Sequence, residues 1–423
     1  MKPLEFGIIL TILVVVFFQE EPTVGGDSSI IFEKLFWKFR PVDIMILVIL
    51  WALLLRDTFA RKSIKLPNTV LNKPILGLIL AILQGTIVGI IKRETSTRTG
   101  IAVLAIDEWK NLFVGILFFF IFTRVISNKQ KLIRIAWSFI VMATGMAGYR
   151  LILYIMGHGL KGTARGYIIV QEGGYIYMLC LALLLTCSLV FFRPKKRMER
   201  FYLYIAIILF SMVLFLSFRR NGWLMVIIGL AIIFHFLPLR KKVRYGILLL
   251  LLLPSAKLFM TVPANINQYF TENIFSVGVH ICDLEDAWEA VKEDPILGYG
   301  LGRVYKRRLS YMPWLHTNLA EQAYFVHNAF LHTWLKFGIL GLICYIWLFY
   351  TFFQYGFKNI KLISNNYHRS IAVGFFAFVV GKVIGASWFG PPEYIFFKKS
   401  ILIFFSMAIV LSIIKSYKKN IHG

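Results

Sequence analysis

The chain has 423 residues, of which 58% are apolar and 16% are charged, and its mean hydropathy is +0.71. This composition excludes a soluble globular domain, a disordered chain and a collagen or coiled-coil fibre. The formal net charge of +26 would favour a nucleic-acid partner in a soluble protein. Here the basic residues lie in separate segments between long apolar runs, so membrane topology explains the charge and no nucleic-acid role is predicted.

The cysteines and the first apolar run carry little further signal. The cysteines lack the spacing of metal ligands, so neither a disulfide framework nor a zinc site is predicted. They are Cys180, Cys187, Cys282 and Cys344. The first apolar run is followed by Gln19-Glu20-Glu21-Pro22, without a small-residue cleavage site. We therefore interpret it as a retained membrane span rather than a secretory signal.

Twelve apolar segments predict membrane-spanning helices, because a bilayer core needs about 20 apolar residues per helix. They are residues 4–18, 41–56, 71–91, 107–126, 133–156, 171–192, 201–218, 222–238, 245–260, 326–354, 369–389 and 395–415. The predicted fold class is an all-α polytopic membrane protein of about twelve helices. One transmembrane domain is expected over residues 1–423.

The distribution of Lys and Arg predicts how these spans are oriented. With the N-terminus inside, the cytoplasmic segments hold 25 of the 47 basic residues but only three of the 21 acidic residues. Those three acids are Glu5, Asp57 and Glu199. Short loops rich in Lys and Arg stay on the cytoplasmic side. Both termini are therefore expected in the cytoplasm.

The longest joint, residues 261–325, lies between the ninth and tenth spans on the predicted outer face. It is too polar for lipid and too aromatic for disorder, so a folded, partly helical cap is expected. Residues 283–291 have helical spacing, and Asp294-Pro295 should end that helix. The acidic run Asp283-Leu284-Glu285-Asp286 is interpreted as a solvated helix face.

Two adjacent arginines, Arg219 and Arg220, occupy a tight outer turn between the seventh and eighth spans, residues 217–222. One interpretation is that they anchor the helices to lipid head groups. The other is that they bind a diphosphate, because the planar guanidinium fork matches phosphate oxygens. Arginines at the edge of a membrane favour this second, functional interpretation.

A glycine-rich turn follows the predicted cap helix, with Gly298, Gly300 and Gly302 just before Arg303. Glycine permits a close approach of the backbone to a ligand, so Gly300 and Arg303 are candidate substrate-binding residues. Neither a Walker lysine nor a strand-turn-helix unit accompanies the turn, which excludes two common nucleotide-binding motifs. A plain tight turn leading back to the membrane is the alternative.

The tenth span begins with His327 and Asn328, and after nine intervening residues come Gly338, Ile339, Leu340 and Gly341. The histidine lies where the cap should meet the bilayer. It is either a satisfied interfacial polar group or a reactive group. Imidazole has an unperturbed pKa of about 6.5, which suits proton transfer near neutral pH.

These three features resemble motifs of the O-antigen ligase and polysaccharide polymerase superfamily, which are GT-C type membrane glycosyltransferases. The matching segments are the arginine turn 217–222, the run 294–302 and the histidine segment 327–341. The histidine segment is more similar to the ligase branch. The resemblance covers residues 200–355 well, whereas the first 190 residues match only as a run of spans.

The resemblance implies transfer of a glycan from undecaprenyl diphosphate to a lipid acceptor, lipid A-core, at the periplasmic face of the bacterial inner membrane. His327 would be the general base or a hydrogen-bond donor to the diphosphate. Arg219 and Arg220 would neutralise the leaving diphosphate, without a cofactor. Relatives often carry a further arginine ahead of the cap helix. This chain has His280 there, and Arg303 is the expected substitute.

Further candidate substrate-binding residues surround this set. Asn328 adjoins the histidine, and Lys161, Arg165 and Arg150 lie in or near the outer loop that follows the fifth span. Their charges suit the lipid phosphates of either substrate, and membrane lipids are expected partners. No metal site is predicted, because the outer side has no D-x-D motif or acidic cluster with ligand spacing.

Two other functions are compatible with the sequence. A polymerase that joins two lipid-linked repeat units is the sibling activity, and the histidine segment favours the ligase. A secondary transporter or flippase is permitted by the number of spans. However, the two halves lack corresponding Gly- or Pro-broken spans, and a one-sided cap suits an extracytoplasmic enzyme.

Overall fold

The structure is a computed structural model, and it describes the chain in segments. These are residues 67–92, 98–125, 129–156, 173–192, 196–217, 219–242, 266–306, 311–312, 317–318, 322–323, 326–388 and 397–418, with scattered residues between 44 and 55. The predicted spans 4–18 and 245–260, and most of 41–56, lie outside these residues.

The described segments are predominantly helical. The α-helices are α1 (Asn72–Ile91), α2 (Arg98–Val125), α3 (Lys129–Ile155), α4 (Gly173–Phe192), α5 (Arg197–Leu216), α6 (Arg220–Phe236), α7 (Ile266–Glu293), α8 (Ala329–Asn359), α9 (Asn366–Val380) and α10 (Phe397–Lys418). Helix α9 continues as a π-helical turn, Gly381–Gly385, and then a 3-10 turn, Ala386–Trp388. A second 3-10 turn, Ile360–Leu362, follows α8.

These helices confirm the predicted all-α polytopic fold class. Among the described residues, seven helices are long and apolar enough to cross a membrane, and α6 is a shorter apolar helix. The predicted total of twelve spans stays a prediction. Two helices begin well before their predicted starts. The span α2 begins at Arg98, nine residues earlier, and the cap helix α7 begins at Ile266, 17 residues earlier.

Two helices form the centre of the bundle. Of the apolar windows in α4 and α9, 94% and 89% of the residues are buried, which agrees with sequences that are apolar on every face. Helix α4 packs against α9, α5 and α6, while α10 packs against α2 and α8 packs against α1.

The cap, residues 261–325, consists in its described part of α7 and four two-residue strands. They are β1 (Tyr305–Lys306), β2 (Tyr311–Met312), β3 (Thr317–Asn318) and β4 (Gln322–Ala323). Strand β1 pairs with β4, and β2 pairs with β3, both antiparallel, so the strands form two nested ladders. Helix α7 ends at Glu293, which confirms that Asp294-Pro295 ends the cap helix.

Helix α8 is broken at Gly338, whose φ of 67° and ψ of −172° are not helical. The break leaves carbonyl groups of the preceding turn without their usual helical donors. The carbonyl of Leu335 accepts from the backbone N–H of Tyr299 at 2.6 Å, and that of Lys336 accepts from Gly300 at 3.2 Å. The glycine-rich turn, residues 294–302, thus completes the hydrogen bonding of a membrane helix.

The glycine-rich turn also contacts α1, on the side opposite α8. The N–H of Ile339 donates to the carbonyl of Pro295 at 3.1 Å, and that of Leu301 donates to the carbonyl of Gly85 in α1 at 2.9 Å. A methyl group added to Gly300 would overlap the backbone of Gly89. The glycine-rich turn is therefore packed between α8 and α1.

We call the end of the bundle that meets the cap the cap end. There, Lys92 at the end of α1 donates to the carbonyl of Gly298 at 3.4 Å. At the same end, the side chain of Asn328, just before α8, donates to the carbonyl of Trp388 after α9 at 3.4 Å. The beginning of α8 and the end of α9 are thus joined at the cap end.

Candidate active site

His327 is paired with a buried carboxylate of the cap. Its Nδ1 lies 2.9 Å from Oδ2 of Asp283, and its backbone N–H donates to the same oxygen at 3.3 Å. The hydroxyl of Tyr305 donates to the other oxygen of Asp283 at 2.8 Å. The Asp283 side chain is 2% exposed, whereas that of His327 is 29% exposed. A partly accessible imidazole is therefore held by a carboxylate that is itself fixed.

Helix α7 positions this carboxylate. Asp283, Asp286, Ala287 and Ala290 recur at helical spacing, and all four are buried. The prediction of a solvated acidic face is wrong for Asp283 and Asp286, because this side of α7 packs on the rest of the cap and on α8. The helical spacing of Asp283, Ala287 and Ala290 is the sequence signal that could have identified the buried face.

Asn328 fixes the backbone next to the histidine. It is the N-cap of α8, and its side-chain oxygen accepts from the N–H of Leu331 at 2.9 Å. A side-chain acceptor at this position satisfies an otherwise unpaired N–H of the first helical turn. His327 accordingly lies just before the helix begins, with its backbone direction set by the cap residue.

Two buried titratable side chains lie further along α8 than His327. His332 and Lys336 are both fully buried. Nδ1 of His332 accepts from the backbone N–H of Val326 at 3.2 Å, and Nζ of Lys336 donates to the carbonyl of Arg303 at 2.5 Å. Both side chains therefore bind the backbone of segments that flank the site, and sequence reasoning did not identify either of them.

His280 faces the same histidine. Its ring centroid is 4.6 Å from that of His327, with the rings nearly perpendicular. The resemblance seen in the sequence led us to expect an arginine near this position, ahead of the cap helix, but His280 lies within α7. The structure therefore places this position beside the candidate reactive group, although the residue here is a second imidazole.

Arg219 and Arg220 begin α6 at the cap end. The Arg219 side chain is exposed, and its carbonyl accepts from Gly222 and Trp223 in the first turn. Arg220 is the first residue of the helix, and its side chain lies outside what the structure describes.

The end of α9 links the arginine turn to the histidine. A methyl group added to Gly385 would lie 3.4 Å from the backbone of Leu224 in α6. Trp388, three residues further on, accepts a hydrogen bond from Asn328. The beginnings of α6 and α8 therefore border one segment, and a shared cavity between the arginines and His327 stays a prediction.

Arg303 lies at the rim of the glycine-rich turn. Its guanidinium is 5.1 Å from the centroid of the Tyr299 ring. Lys92 forms an ion pair with Asp294 close by. Burial, and then the positive charge of Arg303, lower the pKa of Lys92. Two cations from different elements are thus held together on the α1 side of the cap.

The remaining candidates are distributed as follows. The backbone of Gly300 packs against α1, as described above. Arg150 lies near the end of α3 with its guanidinium 5.6 Å from the centroid of the Tyr175 ring. Lys161 and Arg165 lie outside the described residues. Their roles in substrate binding stay predictions.

Lys382 is a further buried cation that the sequence analysis did not identify. It lies in the π-helical turn, and its Nζ donates to the Ser387 hydroxyl at 3.2 Å and lies 4.9 Å from the centroid of the Tyr177 ring. Lysines at membrane depth and π-helical turns both occur preferentially at functional sites. A lysine within the apolar run 369–389 was the available signal.

No three His, Cys, Asp or Glu side chains in the described segments lie close enough together to hold a metal ion. Metal independence stays a prediction.

The fold and the site together define a multi-pass helical membrane protein with a histidine–carboxylate pair where the cap meets the bundle. The O-antigen ligase family model matches residues 205–346. This match confirms the resemblance to the O-antigen ligase superfamily that is seen in the sequence. The matched region contains the arginine turn, the cap and the beginning of α8.

A relative is also found among proteins of known sequence. An uncharacterized protein of Haemophilus influenzae is 27% identical over 195 residues, which are 42% of this chain and 48% of the relative. The match therefore spans about half the length of that relative.

Proposed function

We propose that the protein transfers a glycan from undecaprenyl diphosphate to a lipid acceptor, the lipid A-core oligosaccharide, as an O-antigen ligase. The family match supports a membrane glycosyltransferase-like function. The observation that carries the chemistry is the hydrogen bond between Nδ1 of His327 and the buried carboxylate of Asp283.

The carboxylate sets the tautomer of the imidazole. An ionised carboxylate only accepts hydrogen bonds, so Nδ1 of a neutral His327 carries the proton and Nε2 keeps its lone pair. Tyr305 and the backbone N–H of His327 hold Asp283 in place. Asp283 is thus a positioning residue, and Nε2 of His327 is the atom that meets the acceptor hydroxyl.

The proposed transfer is a single displacement. The acceptor oxygen forms the new bond to the anomeric carbon, and its proton passes to Nε2 of His327. The bond from that carbon to the diphosphate oxygen breaks, and the diphosphate leaves with the electron pair. Exclusion of water at the edge of the bilayer favours transfer to the acceptor hydroxyl over hydrolysis.

The leaving diphosphate needs cations. Arg219 and Arg220 at the start of α6 are the proposed ligands, and Arg303 approaches from the cap. Fixed cations at a developing negative charge are usually the largest catalytic contribution, so this mechanism is proposed to work without a metal ion. The site would face the periplasm of the bacterial inner membrane, with both termini in the cytoplasm.

The test is transfer by purified protein in vitro. The donor is a glycan on undecaprenyl diphosphate, and the acceptors are lipid A-core and, separately, a second lipid-linked glycan. We expect product on lipid A-core and its loss in His327→Ala at a normal expression level. His235→Ala, at the other end of α6, is the matched histidine control and should keep activity.

The outcomes separate the candidate functions. Extension of the lipid-linked glycan, without product on lipid A-core, would identify a polymerase and overturn the ligase proposal. Full activity of His327→Ala would remove the histidine–carboxylate chemistry from the mechanism. Translocation of a lipid-linked glycan without transfer would identify a flippase.

A further inference from the structure

Three consecutive residues at the start of α4 each contact a different neighbouring element at the cap end. They are Tyr175, Ile176 and Tyr177. The first lies against Arg150 of α3, the second packs against Gly222 in the first turn of α6, and the third lies against Lys382. The start of α4 is therefore in contact with two cations, Arg150 and Lys382, and with the first turn of α6.

One of these contacts leaves polar atoms without partners. The Nε of Arg150 and the hydroxyl of Tyr175 are both buried, and neither has a hydrogen-bond partner among the described residues. The Tyr175 side chain is 5% exposed. By contrast, the buried Nζ atoms of Lys336 and Lys382 both have hydrogen-bond acceptors. Buried donors without acceptors are rare in folded proteins, because they lose their bonds to water.

We propose that Arg150 and Tyr175 form a binding site for the phosphate group of a membrane lipid. A phosphate offers several acceptor oxygens, and it suits a guanidinium N–H and a phenolic O–H on two neighbouring helices. The start of α4 adds the positive end of its helix dipole and backbone N–H groups that have no acceptor within the helix. The guanidinium charge, the helix dipole and the backbone N–H groups each favour an anion over a neutral ligand.

The depth of the site indicates that the phosphate belongs to a lipid. Arg150 lies within the last turns of the span Gln130–Ile155, and Tyr175 is the first residue of the span Tyr175–Phe192. A phosphate bound there carries its hydrocarbon chain into the bilayer. The source is either the diphosphate of the polyprenyl donor, which rests on the proposed function, or the headgroup of an anionic phospholipid.

The structure predicts an unusual combination of effects for Tyr175→Phe. The substitution removes a buried hydroxyl that bonds to no described residue, so the thermal midpoint of the lipid-free protein should stay equal or rise. Binding of a phosphate lipid should nevertheless weaken, because the donor is lost. If Tyr175 had only a packing role, Tyr175→Phe would not weaken the binding of a phosphate lipid.

The experiment measures binding directly and does not depend on transfer. The full chain is purified in a phosphate-free detergent and titrated with undecaprenyl diphosphate, with dioleoylphosphatidylglycerol and with undecaprenol. We expect Tyr175→Phe and Arg150→Met to weaken binding of a phosphate lipid about tenfold or more, since a bond to a charged group is lost. Binding of undecaprenol should not change.

Tyr149→Phe is the matched control, since Tyr149 precedes Arg150 but is exposed; it should bind as the unsubstituted protein does. A loss confined to undecaprenyl diphosphate assigns the site to the donor, and a loss confined to phosphatidylglycerol assigns it to a phospholipid. Unchanged affinity of Tyr175→Phe for both lipids would overturn the proposal, and the Tyr175 hydroxyl would then be assigned a bond to water. A failure of the ligase activity alone would leave this binding result standing.

Discussion

Nδ1 of His327 lies 2.9 Å from Oδ2 of Asp283, and this hydrogen bond joins the start of a membrane helix to the cap helix. The two residues are 44 positions apart in sequence. The carboxylate is buried and accepts two further hydrogen bonds, so its position is fixed by the cap. Any shift of α7 relative to α8 would therefore reorient the imidazole.

Asp283→Asn should lower kcat about 100-fold or more. An amide can donate to Nδ1, which stabilises the tautomer that carries its proton on Nε2 and cannot accept from the acceptor hydroxyl. The KM for the donor should change little, because Asp283 is not placed in the binding site. Initial rates at several donor concentrations measure kcat and KM separately and so check this prediction.

The matched control for that substitution is Glu285→Gln, which removes an exposed acid from the same helix and should keep the rate. Tyr305→Phe should give a smaller loss than Asp283→Asn, because it removes one of three donors to the carboxylate. A normal kcat for a folded Asp283→Asn protein would show that the carboxylate does not set the tautomer.

Alanine at the arginine that binds the diphosphate, Arg219 or Arg220, should reduce transfer at least about 100-fold, on the scale of one lost oxyanion donor. Lysine at the same position should recover little, because an ammonium lacks the bidentate fork. Arg200→Ala, in the first turn of α5, is the control and should keep activity. If both alanine variants transfer at a normal rate, the arginines are lipid anchors.

The charge distribution predicts opposite sides for two reporter fusions. A reporter fused after Arg197 should be cytoplasmic, and one inserted near Asn318 should be periplasmic. Paired alkaline phosphatase and green fluorescent protein fusions measure this. Both reporters on one side would contradict the orientation and the proposed periplasmic site.

Transfer should survive removal of divalent cations, because cationic side chains are proposed to neutralise the leaving group. The measurement is the rate in vitro before and after EDTA, with Mg²⁺ or Mn²⁺ added back. Loss of activity that the added ion restores would contradict metal independence and direct attention to Asp283 and Asp286.

Gly338→Ala should destabilise the protein by at least about 2 kcal/mol, because the backbone conformation there is accessible essentially only to glycine. The added methyl group would also overlap the carbonyl of Ile296. Gly148→Ala is the control. Its methyl group would meet no atom closer than 4.0 Å, so this helical position should be neutral or gain about 0.5–1 kcal/mol. Thermal unfolding of both variants in detergent tests the difference.

Much of the fold could be predicted because apolar length alone identifies a membrane helix. The same rule misplaced the start of α2, since the apolar residues 101–106 belong to the same helix as the polar residues Asp107, Glu108 and Lys110 that follow them. The end of the cap helix was predictable because proline excludes the helical conformation from the residue before it.

The site was predictable only in part. His327 and Asn328 stand in a recognisable local pattern, whereas the partner of the histidine lies in another element and depends on how α7 packs. Asp283 was assigned to a solvated face because the acidic run was considered as a block of charge. The burial of Lys336 and Lys382 depends on acceptors supplied by distant segments, which no local pattern reveals.

The break at Gly338 has a consequence for the order in which the chain assembles. The ribosome makes the glycine-rich turn before it makes residues 335–339. The N–H donors of Tyr299 and Gly300 are therefore synthesised before their acceptors, the carbonyls of Leu335 and Lys336. When α8 enters the bilayer, its freed carbonyls have no water to bond to, and they need the turn to be in place. Docking of the cap should thus coincide with insertion of α8, and biogenesis of the site becomes one concerted event.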